Sequence, residues 1–156
     1  MLISVYINTM KYLMTLILTT FSLTLFSQVR VDQSGEGWKE IVDNALTLIQ
    51  KTDTSVYNHL IKHCTKIGFW NGSYSSSEGT EIFVSRSDIL LGSVENIACV
   101  VIHESKHLEL QSFGISLQEE ECICYSYELE FINKLKDVDW LKQNCELRLN
   151  QYECNI

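Results

Sequence analysis

The 156-residue chain contains no proline at all. Its seven glycines, with serine and asparagine, are the only punctuation, so helix starts must be sought at polar caps and breaks at glycine. Cations are scarce as well. Twelve Lys and Arg stand against 20 Asp and Glu, a net charge of −8. A chain so acidic lacks the basic face that nucleic acid requires and offers nothing to an anionic membrane surface. No C-x-x-C pair exists among the six cysteines, and the C-x-C at Cys122 and Cys124 would point its side chains about 200° apart on a helix. A cysteine-ligated zinc finger is therefore not expected. No internal repeat and no low-complexity segment is visible.

Histidine is rarer still, four residues in all, yet two of them fall at a spacing with mechanical meaning. Residues 103–107 read His-Glu-Ser-Lys-His, directly after the apolar run Ile97-Ala98-Cys99-Val100-Val101-Ile102. On a helix, His103 and His107 lie one turn apart on the same face. Two imidazoles so placed can hold one Zn²⁺, and Glu104 can then serve as general base toward an activated water. The preceding apolar run predicts that this helix is buried, and buried histidines need partners. The other pair, His59 and His63, shares the four-residue spacing. No glutamate stands between them and Lys62 and Lys66 flank them, so they read as a solvated helix face.

The first 28 residues read as an export signal. Lys11 is the only charge before Arg30, residues 12–26 form an apolar core, and Ser27 offers a small residue for cleavage after Ser27 or Gln28. Fifteen apolar residues fall short of the about 20 that span a bilayer. An uncleaved N-terminal anchor is the alternative. Cleavage removes one lysine and no acid, taking the net charge from −8 to −9 and leaving residues 29–156 as a single small domain. An exported protein meets an oxidising compartment, so disulfides are permitted. Cys145 and Cys154 could close a short loop, whereas Cys99 and Cys124 read as small buried residues within helices.

Within that domain, Trp38, Ile41, Val42, Ala45, Leu48 and Ile49 recur at helical spacing over 38–51. Asp53 or Thr54 can cap a second helix running to about Cys64. Residues 66–70 and 81–85 read as strands joined in a loose hairpin across a polar turn at 71–79. Ser93 can cap a long helix through about Gln111 that carries the histidines. Gly114, able to take φ > 0, marks a connection, and helices follow over 117–136 and 138–149. The expected fold is a small α+β domain, a short antiparallel β-hairpin packed on three to four helices.

A catalytic zinc needs a third protein ligand. Glu119, Glu120 and Glu121 open the helix after the connection, and consecutive carboxylates point in different directions, so at most one faces the metal squarely. Glu121 shares a face with Cys124, Glu128 and Phe131 and is the first choice. Glu120 is second and Glu119 third, while acids at a helix N-terminus are also favoured by the helix dipole alone.

His103, Glu104 and His107, followed by Glu121-x-x-Cys124, resemble the zincin metallopeptidases of gluzincin type, as a compact minimal member. The resemblance implies one catalytic Zn²⁺ per chain held by His103, His107 and Glu121, with Glu104 as base, and hydrolysis of a peptide or protein substrate. It also implies a strand along which substrate lies as an added antiparallel strand, for which residues 81–85 are the candidate. No histidine follows His107, so the three-histidine zincins are excluded, and Lys106 stands where the motif usually carries an uncharged residue. Tyr74, Tyr125, Tyr127, His59 and His63 are the candidate oxyanion donors by chemistry. Two other readings use the same residues differently: a non-catalytic exported zinc module whose site is closed by a fourth ligand, and a metal-free domain held by disulfides.

Overall fold

The computed structural model describes residues 29–32 and 37–154. The expected export signal lies outside them. Among the described residues no helix is long and apolar enough to cross a membrane. The elements run β1 (Arg30–Val31), α1 (Trp38–Thr52), α2 (Thr54–His63), β2 (Lys66–Trp70), β3 (Ser76–Glu78), β4 (Glu81–Ser85), α3 (Arg86–Leu90), α4 (Val94–Leu110), α5 (Leu117–Ile132) and α6 (Asp139–Gln151). This is the expected α+β class: a small sheet with one hairpin, packed on helices.

The helix starts follow from side-chain caps, as a proline-free chain requires. Asp53 accepts from the backbone N–H groups of Ser55 and Val56 at the start of α2. Ser93 accepts from Asn96 at the start of α4. Ser116 and Glu119 form a reciprocal capping box on α5. Helix α4 is apolar through the run Ile97–Ile102, of which all but Val100 is buried. Ile97, Ala98, Val101 and Ile102 are fully buried, which makes α4 the central helix against which α1, α2, α5 and the sheet pack. Each such isoleucine or valine contributes about 1.5–3 kcal/mol of apolar burial.

The sheet order is β1-β2-β4-β3, and it corrects the expected hairpin. Strands β2 and β4 are parallel, Lys66 opposite Glu81 through Trp70 opposite Ser85, with Lys66 Nζ 2.9 Å from Glu81 Oε2. The antiparallel partner of β4 is β3, from the segment expected to be a polar turn. Its connection is the two-residue loop Gly79-Thr80, with Gly79 at φ +62° as tight hairpin loops demand. The chain thus leaves β2, returns along the outside as β3, and inserts β4 between them. Ser75 secures the start of β3: its Oγ donates to Asp88 Oδ2 at 2.6 Å and accepts from the Ser85 N–H at 2.8 Å.

The expected Cys145–Cys154 loop is also corrected. Cys154 bonds to Cys122 of α5. Cys145 is a free buried thiol that donates to the Tyr125 carbonyl at 3.2 Å. Cys145 faces the core from α6, so the residue meeting the C-terminus is Cys122, which points away from buried Cys124 on the same helix. The bond closes a span of 32 residues, which stabilises the fold by about 3–4 kcal/mol through loop entropy. The double variant Cys122→Ser/Cys154→Ser is expected to melt on the order of 10 °C lower. An unchanged melting temperature by circular dichroism would show that the bond contributes nothing.

Candidate metal centre

Helix α4 supplies His103, Glu104 and His107, all from its last two turns, and α5 returns beside it after the connection that includes Gly114 at φ +64°. The three consecutive glutamates at the start of α5 take three different positions. Glu119 turns outward and completes the capping box, its Oε2 accepting from the Ser116 backbone at 3.0 Å. Glu120 Oε1 accepts from His107 Nδ1 at 2.8 Å. Glu121 faces the gap between the two imidazoles, with Oε2 3.5 Å from His103 Nε2 and Oε1 3.6 Å from His107 Nε2.

Two turns further along α5, Glu128 Oε2 accepts from His103 Nδ1 at 3.1 Å. Each imidazole is therefore held at Nδ1 by its own carboxylate. An ionised carboxylate can only accept, so each ring keeps a proton on Nδ1 and turns Nε2 toward the gap, where it can take a metal ion or a second proton. The two Nε2 atoms are 3.1 Å apart. Two lone pairs aimed at each other, with a carboxylate alongside, repel unless a cation or proton lies among them. Glu121 Oε2 is buried with no hydrogen-bond partner among the described residues. The Glu121 carboxylate spans the pair, one oxygen 3.5 Å from His103 Nε2 and the other 3.6 Å from His107 Nε2, and the 3.1 Å between the two Nε2 atoms is close to the separation of about 3.4 Å between two ligand atoms at about 2.0–2.1 Å from a tetrahedral zinc. These donors fit a divalent metal, and His103, His107 and Glu121 are the residues that could hold it.

The electrostatics run the same way. Burial opposes a charge on His103, but Glu121 and Glu128 outweigh it and push its pKa up to about 10. Burial also acts against the Glu121 carboxylate. The close approach of His103, with the charges of His103, His107 and Arg148, overcomes this and holds its pKa below the usual value. Glu104 differs. It is buried, and burial raises its pKa even though the two histidines and a hydrogen bond from Ser77 pull the other way. A carboxylate raised in this way accepts a proton more readily than an exposed one.

The cluster forms the floor of a cleft of about 960 Å³. Ser75 and strand β3, through Ser76 and Ser77, line one side, and Tyr125 and Arg148 also line the cleft. The Tyr125 ring lies 4.3 Å from the His103 ring and stacks on Tyr152 at 5.9 Å. Gln118 donates to the Tyr152 carbonyl at 2.7 Å, and the disulfide fixes the chain just beyond it. Cys124 Sγ, from the interior face of α5, lies within 4.8 Å of the ligand atoms of both histidines. Burial, with the carboxylates around it, holds that thiol far above its ordinary pKa.

Of the candidate oxyanion donors, Tyr74 and Tyr125 line the cleft, whereas Tyr127, His59 and His63 lie outside it. Strand β4 is ruled out as the strand that receives a peptide, because β2 and β3 already pair with both of its edges. Among the described residues, the strand with an open edge beside the cleft is β3. Sequence reasoning gave Glu128 and Arg148 no role. The seven-residue spacing of Glu128 from Glu121 was the signal for the first; nothing in the sequence signalled the second. His59 and His63 are half-buried rather than solvated, and Glu109 of α4 lies beside them. No protein-family model, no curated protein and no solved structure matches the chain.

Proposed function

We propose that this protein is an exported zinc-dependent hydrolase of gluzincin type that cleaves peptide bonds, with His103, His107 and Glu121 holding one Zn²⁺ and Glu104 as the catalytic base. The observation that carries the reading is the convergence of two imidazole Nε2 atoms and an unpartnered Glu121 oxygen, while Glu128 and Glu120 hold the opposite ring nitrogens. Second carboxylates of this kind are the usual support of metal-ligating histidines. Export is supported by the apolar residues 12–26 and by the Cys122–Cys154 bond, which needs an oxidising compartment.

The cation, when bound, supplies Lewis acidity: it makes water more acidic and polarises a carbonyl. The chain does the rest. Glu104 takes a proton from the attacking water on its carboxylate and delivers it to the leaving amine. The open edge of β3 can pair with an extended peptide by main-chain hydrogen bonds, which draws the substrate across the cleft past Ser77 and Glu104. The Tyr125 hydroxyl and the Arg148 guanidinium, both on the cleft wall, are the groups with the chemistry to bind a developing oxyanion or a substrate carboxylate.

Cys124 supports a second reading, a closed structural zinc site with the thiolate as fourth ligand. A bound cation would itself deprotonate a ligating thiol, so the metal content of a Cys124 variant decides between the two. One experiment addresses both. Zinc content and cleavage of an unstructured peptide library are measured on the wild type, after chelation and zinc return, and on Cys124→Ser. Chelation is expected to abolish cleavage and zinc to restore it, with Cys124→Ser keeping both metal and activity. Cleavage that survives chelation would overturn the zinc hydrolase. Loss of metal in a folded Cys124→Ser would assign the closed site instead.

A further inference from the structure

A second cluster lies outside the cleft. His59 and His63 stand one turn apart on α2, their rings 4.7 Å from centroid to centroid. Glu109 of α4 joins them, so that one ligand atom from each of the three lies within 4.8 Å of the other two. Glu109 is two residues beyond His107, about 200° around α4, and so faces away from the first cluster. The Nε2 atoms of both His59 and His63 are buried and have no hydrogen-bond partner among the described residues. Two buried imidazole nitrogens left without partners, on the same side of one helix and beside a carboxylate, form a costly arrangement that a cation would relieve.

We infer that His59, His63 and Glu109 hold a second divalent transition-metal ion, distinct from the His103–His107 cluster, which ties α2 to α4. The donors are two imidazoles and one carboxylate, which suit Zn²⁺ or Co²⁺ better than the all-oxygen preference of Ca²⁺ or Mg²⁺. The His59 ring is half-buried. The edge of Tyr127 packs on that ring at 5.3 Å and fixes its plane.

The lysines that argued against a cation here are accounted for by the fold. Lys66 is paired with Glu81 on β2, and Lys62 is exposed to solvent. The competitor is Lys106, which is bonded to Glu109. Its ammonium also lies over the Tyr127 ring, 5.0 Å from the centroid. A metal that takes Glu109 would leave Lys106 on that aromatic face, where a cation–π contact still holds it. The residue after His59 is Leu60, so no carboxylate base accompanies the pair. The site therefore reads as a clip between two helices and not as a second hydrolytic centre. One of those helices carries His103, Glu104 and His107.

The test counts metal ions by native mass spectrometry on the intact protein after zinc loading, with affinity from calorimetry. His63→Ala is expected to take up one Zn²⁺ fewer than the wild type, and His103→Ala is expected to retain the ion at His59, His63 and Glu109. Glu109→Gln keeps the side-chain shape and removes the charged ligand; it is expected to weaken that same ion at least tenfold. Because the count is a difference between variants, it does not depend on the first cluster. Should His103 and His107 bind nothing, the wild type would hold one ion and His63→Ala none. The inference is overturned if a folded His63→Ala binds as many ions as the wild type. Should His63→Ala fail to fold, unchanged stoichiometry and affinity in Glu109→Gln overturn it equally.

Discussion

Glu104→Gln is expected to lower peptide hydrolysis by about 10²–10⁴-fold, the contribution of a positioned general base, while zinc content stays at the wild-type level. The reason lies in where the side chain points. Glu104 takes no part in the triangle of His103, His107 and Glu121. It lines the cleft together with Ser77 of β3. Glutamine fits the same space and leaves the Nδ1 supports of both histidines untouched, but it cannot accept a proton. Metal analysis together with a steady-state assay checks this. A variant with full activity would remove Glu104 from the chemistry, and one that lost its metal would place it among the ligands.

His103→Ala is expected to have a larger effect still. It should lose one equivalent of zinc and all measurable hydrolysis, because water activation and carbonyl polarisation go together with the metal. It should also fold less stably even with no zinc added. His103 contacts Glu121 through Nε2 and Glu128 through Nδ1, and its removal leaves both carboxylates without that partner. Breaking such a buried arrangement costs about 3–5 kcal/mol. Chemical denaturation in the presence of chelator isolates this term from metal binding. If the variant keeps its zinc, the assignment of the centre to His103 fails. If instead its stability without zinc is unchanged, the two carboxylates do not depend on the imidazole.

Much of the helical framework is legible in the sequence because helix signals are local. Asp53 and Ser93 cap where their positions suggest, and the observed α4, Val94–Leu110, starts directly after its expected cap and ends one residue short of the expected Gln111. The helix expected over 117–136 stops at Ile132, and the chain turns through Asp137 at φ 59°. Strand β3 is different. Ser-Ser-Glu carries no apolar alternation and no β-branched residue, and it forms a strand because β4 offers backbone partners to it. The parallel pairing of β2 with β4 was equally hidden. Strand direction depends on the path of the chain between strands, and residues 71–80 carry no pattern that fixes that path.

The sequence alone determined the two imidazoles a turn apart and the glutamate beside the first of them, since a four-residue spacing on a helix is a geometric fact before any packing occurs. It also established that one glutamate among residues 119–121 could face them. Only the tertiary structure decided that Glu119 caps the helix, Glu120 supports His107 and Glu121 enters the gap. Side chains about 100° apart on one helix acquire different roles only when the neighbouring helix sets the angle and depth at which they meet it. The same packing brought Glu128 to His103, Cys122 to Cys154 and Glu109 to the pair on α2. Those are contacts between distant residues, made by the way helices and chain ends pack, and local spacing carries no record of them.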